Sequence, residues 1–199
     1  KSFVARIIAD GLIDAKVPFM LMECDIGIPD TAKLFGGGKG YDIDTSEGWR
    51  DLYDDILTAP KNKTIIITMP GGFLQRARTH MPAFLKVLPM LPDHLRRPLR
   101  VIWVGDDKRD VLESMRSFRL TTGGKTVIDF VKNEHFCPAD RFDFFDSSDE
   151  KKLLIESGGQ ILRLPKLAYR IAQMMTNKRL KRSAMLKQTD LLNKIEYEE

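Results

Sequence analysis

Short, mostly apolar runs that end in a turn alternate along this chain with stretches of helical period, and that alternation restricts the fold more than any other feature. Phe19 to Cys24, Thr64 to Thr68, Leu99 to Val104, Thr126 to Val131 and Ile161 to Leu164 are too short for helices. They lack the polar alternation of a half-exposed strand, so they predict strands buried on both faces, as in a parallel sheet. Between them, Phe3, Val4, Ile7, Ile8, Leu12 and Ile13 repeat at a helical period, and so do Trp49, Leu52, Tyr53, Ile56 and Leu57. Asp106-Asp107 opens a further helix through Leu120, and residues 149–157 read as another. Residues 74–91 predict a helix or a pair of turns, interrupted by Pro82 and Pro89; residues 26–45 predict a loop, and Phe142 to Phe145 a short extended piece. Pro165 leads into a long helix from Lys166. The expected class is α/β, a mostly parallel sheet with helices on both faces.

At 199 residues the chain suffices for one domain with a full core. We expect that domain over residues 1–175, followed by a basic helical tail over 176–199. The net charge of +4 is too small to imply nucleic acid by itself, but its placement is uneven. Lys178, Arg179, Lys181, Arg182 and Lys187 crowd the tail, ahead of Glu196, Glu198 and Glu199. One reading is a solvated helix packed on the domain; the other is nonspecific DNA binding by phosphate neutralisation through Lys178, Arg179, Lys181 and Arg182. The apolar stripe within residues 176–192 lacks the large aromatics of a membrane-surface helix. Cys24 and Cys137 have no metal spacing and read as reduced thiols. His80, His94 and His135 are scattered. No apolar run approaches the length of a membrane span, about 18–20 residues, and a cytoplasmic location is expected.

The candidate chemistry collects at the C-terminal ends of the strands, where open parallel sheets bind ligands. Lys1-Ser2 stands at the start of an apolar-faced helix, as the last two residues of a phosphate-binding loop do. We therefore expect a strand and a glycine-rich loop ahead of Lys1. The lysine would contact terminal phosphates and the Ser2 hydroxyl would hold Mg²⁺. Asp25 ends the second expected element; it is either a loop acid or a group that orients an attacking water. Glu23 shares its side of the strand, and only Asp25 is expected to reach phosphate. Thr68 ends T-I-I-I-T where such enzymes usually carry a metal-binding acid, and its hydroxyl can still bond a metal-bound water. Pro70, Gly71 and Gly72 form either a strand-terminating turn or a loop that switches with the terminal phosphate. Asn133 is either an Asn turn or a reader of an adenine edge. Gly123-Gly124-Lys125-Thr126 precedes a strand, and Gly36-Gly37-Gly38-Lys39-Gly40 has no hydroxyl after its lysine, so both read as flexible loops.

The order of these parts resembles the ParA/MinD-type deviant Walker P-loop ATPases, whose members include plasmid-partition and conjugal-transfer ATPases. The matching pieces are K-S at 1–2, M-L-M-E-C-D-I-G at 20–27, I-I-I-T-M-P-G-G at 65–72, V-I-W-V-G at 101–105, V-K-N at 131–133 and R-L-P-K-L at 163–167. The resemblance implies a three-layer, Rossmann-like P-loop fold and ATP with Mg²⁺ as cofactors. It also implies an ATP-dependent homodimer, slow hydrolysis stimulated by a regulatory or cargo protein, and a role in plasmid partition, DNA transfer or cargo positioning. It assigns Lys1 to phosphate, Ser2 to Mg²⁺, Asp25 to activating water, Asn133 to adenine, and Pro165 and Lys166 to backbone contacts with the base. Thr68 departs from the pattern, so a nucleotide-gated binding module with little or no hydrolysis is the alternative expectation.

Overall fold

Two small side chains, Ala5 and Ala9, let the first helix, α1 (Ser2–Asp14), lie close against the first strands. In the computed structural model, residues 1–167 are described, apart from 28, 78, 88, 89 and 125. The long helix expected after Lys166 and the basic cluster of Lys178, Arg179, Lys181, Arg182 and Lys187 lie outside the described residues. The chain divides into two compact units, one built on Lys1–Phe73 and the other on Leu74–Lys166.

In the first unit, β1 (Phe19–Glu23) pairs in parallel with β2 (Lys39–Gly40) on one side and β3 (Thr64–Thr68) on the other. The five-residue register runs from Phe19 opposite Thr64 to Glu23 opposite Thr68. Strand alternation places Phe19, Leu21 and Ile66 on one face. There they join Ala5, Ile8, Ala9 and Leu12 of α1 and Ala32 and Phe35 of α2 (Asp30–Phe35). Met22 and Cys24 point the other way and are buried too, so both faces of this sheet are covered. That explains why the strands read as continuous apolar runs. The following helix, α3 (Ser46–Thr58), starts where the Thr45 hydroxyl accepts from Gly48 N–H at 3.0 Å, and buries Trp49, Leu52 and Ile56. Gly48 is required there by proximity: a Cβ would stand 2.0 Å from the Asp42 carbonyl oxygen.

The expected loop over 26–45 is corrected by two elements. Six residues form α2, closed by Gly36 in the left-handed region at φ 74°, and Lys39–Gly40 forms β2. Both were hidden for the same reason. An element of one turn or two residues has too little length to show a period, and glycine usage signals breaks. The Gly36–Gly40 run is thus a helix cap and a strand rather than a plain flexible loop.

After α4 (Phe73–Ala77) and α5 (Met81–Val87), the second unit carries β4 (Arg100–Gly105), β5 (Val127–Asn133) and β6 (Ile161–Leu164), parallel and in that order. Pro82 sits in the first turn of α5, where its missing N–H costs nothing, so it begins a helix instead of interrupting one. On the sheet, Trp103 meets Phe118 of α6 (Arg109–Thr121) with ring centroids 5.7 Å apart. Arg119 of α6 grips Glu150 of α8 (Asp149–Glu156) through two bonds of 2.9 and 2.7 Å. The expected extended piece at Phe142–Phe145 is corrected: α7 (Asp143–Asp146) is a helical turn. The Asp107 carboxylate accepts from the N–H groups of Phe144 and Phe145 at 3.3 and 3.1 Å and so caps it from far along the chain. All four strand pairings in the described residues are parallel, and the class is α/β.

A half-buried ion pair holds β4 to β5. The Asp129 carboxylate accepts from Arg100 Nε, from Arg100 Nη2 at 2.7 Å and from Gln160 N–H at 2.7 Å. Chiefly the guanidinium, helped by that N–H and opposed by burial, holds its pKa below the usual carboxylate value. A depressed folded-state pKa means the stabilisation is full above the unfolded-state value, about 3.9, and is lost as pH falls through the folded-state value. Asp129→Asn should cost about 2 kcal/mol at pH 7, less than for a fully buried pair because Arg100 is half exposed. Urea unfolding of both proteins at pH 7 and at pH 3 checks this: the gap should shrink at the lower pH.

Candidate functional site

Three segments of the first unit converge at the C-terminal edge of its sheet: the start of α1, the residues after β1 and the turn after β3. Lys1 is the N-cap of α1, its carbonyl accepting from Ala5 N–H at 3.1 Å. The first turn of α1 holds no acidic residue, and no side chain caps it. A helix N-terminus presents N–H groups and the positive end of its dipole to an anion. The Lys1 ammonium stands 3.8 Å from where a Cβ on Gly71 would be. Burial lowers the pKa of Lys1, and the nearby charge of Asp25 pulls it back up. Lys1, Asp25 and Gly71, distant in sequence, are thus brought to one place. Ser2, the first residue of α1, is half-buried beside them in the chain. β1 is also the strand at which the order β2-β1-β3 reverses direction, and ligands of open α/β sheets sit off the strand ends at such a reversal.

The turn after β3 is built for close approach. Pro70 is buried, while Gly71 and Gly72 are exposed. Gly72 has φ 68°, a conformation that costs a residue with a side chain about 1–2 kcal/mol. Thr68 lies at the strand end, and its hydroxyl donates to Glu23 Oε1 on the neighbouring strand. Glu23 is buried at 2% exposure, and its second oxygen, Oε2, has no hydrogen-bond partner. Behind it Cys24 is buried, and that burial, with Glu23 nearby, pushes its thiol up to about 12. Such a thiol is inert as a nucleophile at neutral pH.

These groups could hold an anion together with a divalent metal: a lysine and a helix N-terminus for the anion, and hydroxyls for the metal and its waters, with an unpartnered carboxyl oxygen of Glu23 on β1. Among the described residues, no three His, Cys, Asp or Glu side chains cluster to hold a metal by themselves. Glu23 was set aside in the sequence because only Asp25 lay beyond the strand end. Its bond to Thr68 depends on the β1–β3 register; the sequence signal was an acid at one strand end facing a hydroxyl at the next.

In the second unit, Asn133 ends β5 and uses its side-chain oxygen on its own turn, accepting from His135 N–H at 3.3 Å. Its amide hydrogens are not consumed by that bond. Pro165 and Lys166 follow β6. Lys166 lines an open cleft of about 770 Å³ with Lys132, Glu134, Asp140 and Arg163. Its charges are largely paired internally: Lys132 with Asp146 at 2.7 Å and Arg163 with Glu134 at 2.5 Å. Cys24 and Cys137 are free thiols. No helix among the described residues is long and apolar enough to cross a membrane.

No family model matches the chain, and no solved structure matches it. Among curated proteins it is similar to Protein MobD of Acidithiobacillus ferrooxidans, with 25% identity over 199 residues, covering 98% of this chain and 85% of that protein.

Proposed function

We propose that the chain is the nucleotide-binding part of a ParA/MinD-like ATPase switch on a three-layer P-loop fold, dimerising on Mg·ATP and serving plasmid partition, DNA transfer or cargo positioning. The observation that carries this is the meeting of Lys1, Asp25 and Gly71 at the strand ends beneath an uncapped helix N-terminus. When bound, Mg·ATP supplies the phosphoryl group and the divalent charge. Lys1 would neutralise phosphate oxygens, the Ser2 hydroxyl would help hold the metal, and Thr68 would accept from a water on it. Asp25 would orient the attacking water and take its proton at the carboxylate. Pro70, Gly71 and Gly72 would sense the terminal phosphate as a two-state loop that reports to a regulatory or cargo protein. On the resemblance, Asn133, Pro165 and Lys166 are assigned to the base, and Lys178, Arg179, Lys181 and Arg182 to nonspecific DNA.

Asp25→Asn should reduce steady phosphate release by about 100-fold, the usual range for removing a general base, while ATP affinity changes by less than about twofold. Measuring phosphate release and nucleotide binding on the same preparations checks both halves. The second reading, a nucleotide-gated module with little hydrolysis, is favoured by the hydroxyl of Thr68 where an acid is expected. Phosphate release that depends on Asp25 excludes it.

A further inference from the structure

A hydroxyl at the end of β3 brings no charge to a metal's hydration shell, yet a carboxyl group lies one hydrogen bond behind it. Thr68 and Glu23 are register partners, so their side chains leave the sheet on the same face. That face is the one covered by α1, since Leu21 and Ile66, two residues earlier on each strand, pack against Ala5 and Ala9. The Thr68 hydroxyl donates its only proton to Glu23 Oε1, which leaves the Thr68 oxygen as an acceptor alone. Glu23 is buried, and its other oxygen has no partner to neutralise it. Thr68 itself is only half-buried, so it can touch what the sealed carboxylate cannot.

We infer that Glu23 is a positioning residue for the metal: by accepting the Thr68 proton it fixes that hydroxyl oxygen as an acceptor, so the pair stands in for the acid expected at the end of β3. This rests on the reading of the same edge as a Mg·nucleotide site. A carboxylate acting through a hydroxyl is the arrangement by which outer partners tune metal sites, and losing such a partner typically weakens metal affinity 10–100-fold. A buried acid present only for structure would affect melting and leave metal dependence alone.

The test measures ATP affinity of the full-length protein with Mg²⁺ and with EDTA, for wild type, Glu23→Gln, Thr68→Val and the double variant. Thermal melts on each confirm folding. The wild type should bind ATP more tightly with Mg²⁺ than with EDTA. Each single variant should lose at least about tenfold of that gain while keeping the EDTA affinity. The double variant should lose no more than Thr68→Val alone, because one relay is broken once. Glu23→Gln that folds and keeps the full Mg²⁺ gain overturns the inference. If Glu23→Gln does not fold, Thr68→Val decides, and an undiminished gain there overturns it equally. A wild type that binds no ATP under either condition overturns the nucleotide reading itself, a separate result.

Discussion

Lys1→Ala in the full-length protein should weaken ATP binding by about 100-fold, or about 2.8 kcal/mol. The ammonium sits beside Gly71, 3.8 Å from where a Cβ there would be, and within the field of Asp25. Burial already disfavours its charge, and a phosphate arriving there would reverse that penalty. The free N–H groups of α1 remain in the variant, so residual binding is expected rather than none. Isothermal titration with Mg·ATP on both proteins gives the ratio, and Lys1→Arg separates charge from shape. Arginine restores the charge but spreads it over a planar fork, so recovery should be partial. Equal affinity of Lys1→Ala and wild type would remove the central support for a phosphate site at this edge.

Phe130→Ala should cost about 3–5 kcal/mol of folding stability. Phe130 is fully buried in β5, stacked on Phe145 at a centroid distance of 3.9 Å with the rings 11° from parallel. Phe142 meets it edge-on at 6.4 Å. Lys132, two residues along the same face, carries its ammonium 5.1 Å above the Phe142 ring and pairs with Asp146. Truncation would leave a cavity under α7 and take away the aromatic floor that fixes the turn. The loss should appear in chemical denaturation as a lower midpoint, with Phe130→Leu much milder because most of the volume is kept. A change under about 1 kcal/mol would mean that α7 collapses into the gap without loss.

The strand boundaries were largely legible because burial on both faces makes a strand an uninterrupted apolar run. T-I-I-I-T is β3 to the residue, and Phe19–Cys24 differs from β1 by one. The helices α1 and α3 were legible through their period, and α6 and α8 as helical stretches, although α6 opens at Arg109 after Lys108 and not at Asp106-Asp107. What escaped was short or capped from a distance: α2 and β2 within the expected loop, and α7, whose free N–H groups are satisfied by Asp107 thirty-odd residues earlier. Local preference cannot report an interaction of that range. At the site, Asp25 and Gly71 were candidates because ligands of parallel sheets sit off the strand ends, and Lys1 because Lys-Ser before a helix is how a phosphate-binding loop ends. Glu23 was not, since its importance depends on which residue of β3 stands opposite.

From sequence alone came the α/β class, the parallel sheet pattern and the set of polar residues at strand ends, all consequences of periodicity and of where apolar runs stop. Tertiary structure alone decided the pairing of Glu23 with Thr68, the approach of Lys1 to Gly71 and the arrangement of the strands as two three-stranded sheets. The reason is physical. A one-residue shift in register would turn every side chain of a strand to its other face, and register is set by packing between segments far apart in the chain.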